Sequence, residues 1–261
     1  MRAQFCWCLG ISVLAPCGRG AAQSPSPPPA IADNSFLLEE AYNQEQGVVQ
    51  HISVWRRGLR SAAWAFTFTQ EWPLSGQRHQ LSYTVPIERT ESPSRTTGFG
   101  DVALNYRLQL RGSDQAIAIA PRLSALLPTG SESRGLGSGE FGAQLNLPVS
   151  ARLGSSVVSH WNAGLTAVAE NTLYSLGASV IWLVRPTLNV MFEVAWADQS
   201  GGGAESLVVN PGIRWAHNFA SGLQIVPGLA FPVGVGPSRG ERSALVYLSF
   251  EHRFRPETRR N

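Results

Sequence analysis

Residues 98–111 read GFGDVALNYRLQLR, and from Val102 onward an apolar side chain occupies every second position. The apolar positions are Val102, Leu104, Tyr106, Leu108 and Leu110. A period of two predicts a β-strand with one apolar face and one polar face. The same alternation recurs along most of the chain, so the direction in which each face points determines the class of protein.

The alternation predicts an all-β protein with about twelve strands. They span residues 47–57, 61–73, 77–88, 98–111, 115–128, 139–150, 155–168, 172–184, 187–198, 205–217, 221–233 and 241–254. Short connections mostly alternate with longer ones rich in Gly, Ser and Pro, as periplasmic turns and outer loops do in transmembrane barrels. The connections near 58–60 and 169–171 are short where this alternation requires long ones. The prediction is a transmembrane up-and-down antiparallel β-barrel in residues 47–255, with both of its ends on the periplasmic side.

Tryptophan positions indicate which face of the strands points outward. A soluble barrel would place its apolar face inside and cover its outside with charges. The tryptophans that share the parity of their strand's apolar face are Trp64, Trp72, Trp161, Trp182, Trp196 and Trp215. A narrow interior has no room for so many large rings, whereas amphipathic rings are frequent at the interfaces of a membrane. The apolar face is therefore predicted to contact lipid, which predicts a location in the bacterial outer membrane.

The composition agrees with a membrane barrel and disfavours nucleic-acid binding. Charged residues make up 15% of the chain, whereas soluble domains carry about 25%. The 26 Gly and 17 Pro residues suit many tight turns. All 21 basic residues are arginines, the formal net charge is only +3, and no basic run is interleaved with aromatic residues. No nucleic-acid partner is predicted.

The first 46 residues are predicted to lie outside the barrel. Residues 1–22 resemble a secretory signal peptide, with Arg2 before a short apolar core and small residues before Gln23. A lipoprotein signal ending at Cys17 is the alternative. All three cysteines lie in this leader, so no disulfide or thiolate site is expected in the mature chain.

Residues 23–46 are predicted to form a Pro-rich tether and a short N-terminal periplasmic segment, and residues 256–261 a C-terminal tail. Asn34 or Ser35 could cap a short helix in residues 33–46. Two interpretations remain open for these residues. One is a periplasmic lead-in, and the other is a small plug whose carboxylates meet arginines in the barrel mouth.

Several stretches resemble a known family of bacterial outer-membrane barrels. They are GFGDVALNYRLQL (98–110), PRLSALLPTG (121–130), GLGSGEFGAQLNLPVS (135–150) and FLLEEAYNQEQGVVQHI (36–52). The family is labelled as the MetA-pathway of phenol degradation, or as transporters. The resemblance implies an outer-membrane barrel connected with the uptake of aromatic or other hydrophobic compounds, and it identifies no catalytic residue. Such barrels commonly end on an aromatic residue, whereas here Phe254 is followed by RPETRRN.

The polar face of the strands supplies the candidate site. The predicted lumen-lining residues are Glu71, Asp101, Asn105, Arg107, Arg122, Gln144, Asn146, Glu193, Asn210, Arg214, Glu251 and Arg253. Charges in a low-dielectric enclosure must be paired or hydrated. Two hypotheses follow: ion pairs that line a narrow pore and select what passes, or a structural network that only fills the barrel.

Other kinds of site are weakly supported. Residues 137–142 match G-x-G-x-x-G, but a strand rather than a helix follows, so no nucleotide or other cofactor is predicted. No cluster of His, Asp and Glu predicts a metal. No serine is fixed next to any of the histidines, so no catalytic residue is predicted; the histidines are His51, His79, His160, His217 and His252.

The leading functional prediction is an outer-membrane channel or transporter for passive passage of small, hydrophobic or aromatic solutes. A non-conducting structural barrel is the alternative, and an outer-membrane lipid hydrolase comes third. The predicted partners are outer-membrane lipid, the outer-membrane assembly machinery and a small-molecule solute. Lipopolysaccharide phosphates are a further candidate partner for the loop arginines Arg89, Arg95, Arg134, Arg239 and Arg242, since guanidinium groups bind phosphate in a bidentate manner; solvated loop charges are the alternative explanation.

Overall fold

The computed structural model describes residues 31–32, 34–74, 76–91, 94–112, 114–201, 203, 205–219 and 223–254. Sixteen strands form within these residues. They are β1 (Val48–Gly58), β2 (Trp64–Pro73), β3 (His79–Thr90), β4 (Thr96–Phe99), β5 (Val102–Leu108), β6 (Ile117–Ile119), β7 (Arg122–Leu127), β8 (Gly142–Arg152), β9 (Val157–Val168), β10 (Asn171–Arg185), β11 (Leu188–Gln199), β12 (Ser206–Trp215), β13 (His217–Asn218), β14 (Gln224–Ala230), β15 (Val233–Gly234) and β16 (Ser243–Arg253). Two single-turn 3-10 helices, Glu132–Arg134 and Gly236–Ser238, lie in the connections.

The strands form one antiparallel sheet that closes on itself, because β1 pairs with both β2 and β16. In four places two consecutive strands pair with the same neighbouring strand. Together they make one interrupted strand of the barrel wall, and each continuous or interrupted wall strand is here called a stave. The pairs are β4 with β5, β6 with β7, β12 with β13, and β14 with β15. The described chain therefore forms twelve staves in sequence order, and the predicted up-and-down barrel is confirmed.

Apolar side chains cover the outside of the barrel, as the alternation predicted. Along β10, for example, the outward residues Leu176, Val180 and Trp182 are 52–56% exposed, whereas the inward Ser179 and Ile181 are buried. This pattern is typical of a barrel whose outer surface contacts lipid. In the part of the chain that the structure describes, no helix is long and apolar enough to cross a membrane.

The two ends of the barrel differ. At one end, here called the short-turn end, Pro186 and Thr187 connect β10 to β11, and the start of β1 lies beside the end of β16. The other end, here called the loop end, carries residues 128–141 and 235–242. The predicted signal peptide, the Pro-rich stretch 24–30 and the tail 256–261 lie outside the described residues.

The helix predicted in residues 33–46 was wrong, since no helix forms among the described residues of this stretch. The described residues there instead have no regular secondary structure, and they lie inside the barrel. A helix would require its backbone N–H groups to bond to carbonyl groups four residues earlier. Here those N–H groups donate to side chains of the barrel wall, as the bonds of Phe36 and Leu37 to Glu193 illustrate.

Candidate functional site

Residues 34–46, here called the inner segment, enter and leave the barrel at the short-turn end. Just before the segment, the backbone N–H of Ile31 donates to the carbonyl of Pro186 at 2.7 Å. Just after it, the carbonyl of Gly47 accepts from the N–H of Phe254 at 2.9 Å. Between these points Leu38 reaches Gly177 in β10, where an added Cβ would collide with the Leu38 side chain.

Side chains of the wall accept the backbone N–H groups of the inner segment. The bonds run from Phe36 and Leu37 to Glu193 (3.0 and 2.9 Å), from Glu39 to Asn162 (2.9 Å), from Ala41 to Ser150 (2.8 Å), from Asn43 to Gln109 (2.7 Å) and from Gln44 to Gln80 (2.6 Å). Buried backbone donors require partners. The barrel supplies these partners from its polar inward face, so the chain can remain inside without secondary structure of its own.

Arg107 is the most extensively bonded arginine of the interior, and it is only 3% exposed. It donates to the Asn43 side chain at 3.0 Å and to the carbonyl oxygens of Glu40 and Tyr42 at 3.2 and 2.7 Å. Its guanidinium nitrogens also lie 3.6–3.8 Å from carboxylate oxygens of Glu39, Glu40 and Glu71. A buried cation of this kind is retained only when it is paired, and the inner segment supplies two of its three carboxylates.

Two further arginines hold the inner segment from other sides of the wall. Arg122 forms an ion pair with Glu39 at 2.8 Å. Arg214 donates to the carbonyl oxygens of Ala32 and Asn34 at 3.2 and 2.6 Å. The Arg214 guanidinium also lies 4.6 Å from the ring centre of Tyr247. These contacts are charge-assisted, and such hydrogen bonds are about twice as strong as neutral ones.

Glu193 and two glycines form the contact site for the start of the inner segment. Glu193 is fully buried and accepts from the Asn210 side chain at 2.6 Å, in addition to its two backbone bonds. The Phe36 ring lies against Gly212 and Gly228, and a Cβ at either position would collide with it. The absence of side chains there lets the ring lie directly on the wall.

The remaining predicted residues have different surroundings. Asn146 donates to the Glu39 carboxylate at 2.9 Å, and Arg253 lies 3.5 Å from Glu45. Other predicted residues bond to wall side chains: Asn105 to Ser82, Gln144 to Thr166, and Glu251 to Gln50. Asp101 lies between β4 and β5 and accepts from the backbone N–H groups of Gly130 and Ser138 in the loop 128–141.

Several contact residues were not among the predicted lumen-lining residues, including Gln80, Gln109, Ser150, His160 and Asn162. Their only signal is their parity, because each inward-facing position alternates with an apolar outward one. Ser150 and His160 form a hydrogen bond of 2.6 Å between Oγ and Nδ1, although the sequence did not place a serine next to a histidine. Both residues are buried, and the Ser150 hydroxyl also accepts the N–H of Ala41. In this arrangement the pair anchors the inner segment.

The inner segment contacts nearly the whole circumference of the barrel. Its partners on successive staves are Gln50, Gln80, Arg107, Arg122, Ser150, Asn162, Ser179, Glu193, Arg214, Gly228 and Tyr247. They belong to β1, β3, β5, β7, β8, β9, β10, β11, β12, β14 and β16. A segment that contacts all these strands crosses the lumen.

Two cavities lie toward the ends of the barrel. The short-turn cavity, of about 680 Å³, is lined partly by the inner segment, including Asn34, Glu40 and Glu45. The loop-end cavity, of about 690 Å³, is lined by wall and loop residues such as Arg56, Glu88 and Arg242. The interior therefore has a cavity toward each end, and the inner segment lines the one at the short-turn end.

The fold of the closed sheet is similar to that of solved outer-membrane barrels. An outer-membrane channel from Pseudomonas putida F1 superposes with a TM-score of 0.59, 14% identity, and coverage of 84% of this chain and 99% of that one. This chain has the fold of an outer-membrane β-barrel. The KdgM porin (TM-score 0.53, 7% identity, 78% and 98% coverage) and the NanC porin (TM-score 0.52, 8% identity, 77% and 98% coverage) share this fold.

Comparison at the level of sequence finds no relative. No protein-family model matches the chain, and no curated protein matches it. At 7–14% identity the likeness to solved barrels is one of fold. The resemblance to the family labelled as the MetA-pathway of phenol degradation therefore stays a prediction.

Proposed function

We propose that this protein is a channel of the bacterial outer membrane for the passive passage of small solutes, and that the inner segment closes its lumen. The observation that carries the proposal is a segment that crosses a largely polar lumen, with cavities of about 680 and 690 Å³ toward the two ends of the barrel. Passage then requires the inner segment to move aside, which leaves the hydrogen-bonded wall of the barrel intact.

The nature of the contacts supports a removable closure. The inner segment is held mainly by hydrogen bonds and ion pairs, of which Arg107 and Arg214 provide many. Water can replace such contacts when the segment leaves, so their net contribution to stability is modest, about 0.5–3 kcal/mol each. A permanent filling would gain more from an extensive apolar core, whereas the described residues show two small clusters here, one around Leu245 and Tyr247 and one around Ala41 and Ala118.

A non-conducting structural barrel is the second candidate. It is favoured by the number of staves that the inner segment contacts, since a lumen filled on nearly all sides can serve as a rigid wall. The two candidates differ in one property: whether removal of the inner segment opens a conducting path.

Conductance across a planar lipid bilayer tests the proposal. The mature protein is compared with a variant that lacks residues 34–46 and with Arg107→Ala and Arg214→Ala. We expect a mostly closed parent protein, steady conductance for the deletion, and open events at least about tenfold more frequent for each arginine variant, since one or more charge-assisted bonds are lost. Arg111→Ala is the matched control, because Arg111 pairs with Ile119 at the short-turn end and its side chain bonds to Gln115.

Circular dichroism in detergent verifies that each variant keeps its strands. A folded deletion variant that stays electrically sealed would refute the channel and favour the structural barrel. A parent protein that conducts freely would refute the closure by the inner segment.

Small hydrophobic or aromatic molecules are the solutes that we propose. The resemblance to the phenol-degradation family supports this class, and so does the apolar part of the loop-end cavity, which includes Ala65, Val208 and Pro232. Uptake by a deletion strain across a panel of aromatic and aliphatic compounds tests the solute class. Growth that is equal with and without the protein on every compound would contradict it.

The proposed location also implies the partners of this barrel. Outer-membrane lipid would contact the apolar exterior, and the outer-membrane assembly machinery would insert the protein. Exposed arginines of the loop end, including Arg95, Arg134 and Arg239, would lie at the height of lipopolysaccharide phosphates. Guanidinium groups bind phosphate in a bidentate manner, which supports this contact.

A further inference from the structure

The loop-end cavity contains an unusual concentration of arginine. Arg56, Arg60, Arg89 and Arg242 line it, together with the carboxylates of Glu88, Glu91 and Glu241. Arg56 belongs to the inward face of β1, which also carries Gln50, and Arg60 and Arg242 lie in the adjoining connections. Arg56, Arg60 and Arg242 are exposed to solvent, so a solute that enters the cavity can reach them.

The charges of these arginines are not neutralised by close ion pairs. Among the described residues, no carboxylate oxygen lies within 4.0 Å of a guanidinium nitrogen of any of the four. Glu91 instead pairs with Arg95 at 3.5 Å. Arg89 lies on the outward face of β3, in register with Trp64, so the guanidinium groups that face the cavity are those of Arg56, Arg60 and Arg242. They face two carboxylates that lack such a pair, Glu88 and Glu241, and the cavity carries an excess of positive charge.

Two inaccessible polar atoms of β3 lie beside the cavity, out of reach of a solute. The Nε of Arg89 and the Oγ1 of Thr90 are inaccessible and have no hydrogen-bond partner among the described residues. Thr90 also lines the cavity. Buried polar groups normally have partners. The interior arginine Arg107 offers a contrast, since three carboxylates surround it.

Apolar side chains also line the cavity. Ala65 lies beside Arg56 in the next strand, Val208 belongs to β12, and Pro232 lies between β14 and β15. A volume of about 690 Å³ lies within the usual range of small-molecule sites, about 300–1,000 Å³. The cavity thus combines guanidinium groups for a carboxylate with apolar surface for a small organic body.

We infer that the loop-end cavity binds small organic anions through their carboxylate, with Arg56, Arg60 and Arg242 as the recognising groups. Arginine presents paired N–H donors whose geometry matches a carboxylate. The inference rests on the proposed channel function, since it makes this cavity the first binding site on the route of a solute. It narrows the proposed hydrophobic or aromatic solutes to those that carry a negative charge.

Calorimetric titration of the purified barrel in detergent tests the inference with two probes of equal size, benzoate and neutral benzamide. We expect saturable binding of benzoate and at least about tenfold weaker binding of benzamide. Arg56→Gln and Arg242→Gln should each weaken benzoate binding about tenfold, the effect of losing one charge-assisted hydrogen bond. Arg57→Gln is the matched control, because Arg57 is the next residue of β1, faces the opposite side and does not line the cavity.

Three results would overturn the inference: no binding of benzoate, equal binding of benzoate and benzamide, or unchanged affinity in both Arg56→Gln and Arg242→Gln. Circular dichroism establishes that these variants keep the fold of the parent. Benzoate binding is measured in detergent and does not depend on conductance. If the variant without residues 34–46 does not conduct but the parent binds benzoate, the channel is refuted and the anion site is supported. Conductance without benzoate binding would refute only the anion site.

Discussion

Wall glycines determine how closely the inner segment can approach the barrel. Gly177 receives the side chain of Leu38, while Gly212 and Gly228 receive the ring of Phe36. At each of these positions a Cβ would come closer than 3.0 Å to the inner segment. Glycine weakens a strand interior and often marks a place where another chain approaches. Here it allows the apolar side chains of Leu38 and Phe36 to lie directly on the wall.

Gly177→Val should release the inner segment without altering its charges. A side chain inserted into a packed site costs about 1–3 kcal/mol, so the open fraction in a bilayer should rise about tenfold. Ala178→Val is the matched control, because Ala178 is the next residue of β10 and faces outward. A folded Gly177→Val variant with the closed fraction of the parent would show that the contact of Leu38 with Gly177 does not hold the segment.

At the scale of elements, Asp101 connects two outer parts of the barrel. Its carboxylate accepts the N–H of Gly130 at 2.9 Å, and both the N–H and the hydroxyl of Ser138 at 2.7 Å. Leu136, in the same loop, is only 3% exposed and packs against Gly98. The loop 128–141 is therefore fixed to the wall by one carboxylate and one apolar side chain.

Asp101→Ala should loosen the loop 128–141 and leave the rest of the barrel folded. The loss of three hydrogen bonds to one carboxylate lowers the free energy of local opening by about 1–3 kcal/mol. Cleavage by trypsin after Arg134 should become about tenfold faster or more, with unchanged strand content by circular dichroism. Glu140→Ala, in the same loop, is the control. Equal cleavage rates in the parent and Asp101→Ala would contradict the role of Asp101.

At the scale of the whole molecule, the barrel has an apolar outer surface and buried charges in its interior. Outward-facing residues such as Leu104, Trp161 and Phe192 are 49–56% exposed, whereas the charges of Glu193 and Arg214 are buried inside. This arrangement is the inverse of a soluble protein and is stable only when acyl chains cover the outside.

Val180→Arg should destabilise the barrel in lipid vesicles by about 2–4 kcal/mol, because Val180 faces outward near the middle of β10 and a cation there would lie in hydrocarbon. Thr172→Arg should cost only about 0–1 kcal/mol, since Thr172 lies on the same face near the end of that strand. Urea unfolding in vesicles measures both. Equal stabilities for the two variants would contradict an outer surface in contact with lipid.

The alternation predicted the staves and their faces well, and it failed where the wall is interrupted. Residues 98–111 were predicted as one strand, but the structure has β4 (Thr96–Phe99) and β5 (Val102–Leu108). The interruption lies at Gly100 and Asp101, where the Asp101 carboxylate bonds to the loop 128–141. That loop is distant in sequence, so periodicity alone could not predict the break.

The candidate site was predictable only in part. Parity identified the inward-facing Arg107, Glu193 and Arg214, because the side-chain period of a strand is a local property. Parity could not predict the hydrogen-bond partners of these residues. It also could not distinguish Arg107, which contacts the inner segment, from Asp101, which bonds to the loop 128–141. Capping and periodicity suggested a helix for residues 33–46. These signals are local, so they take no account of hydrogen-bond acceptors on strands that are distant in sequence.

The amino-acid sequence by itself determined the twelve staves, the apolar exterior and the polar interior, because alternation of side chains is set within each strand. Only the tertiary structure decided what the interior contains. Closure of the sheet brings Glu193, Ser150 and Gln80 around one axis although they are far apart in the chain. Together they supply the hydrogen-bond acceptors that the inner segment requires, and no local stretch of sequence contains that arrangement.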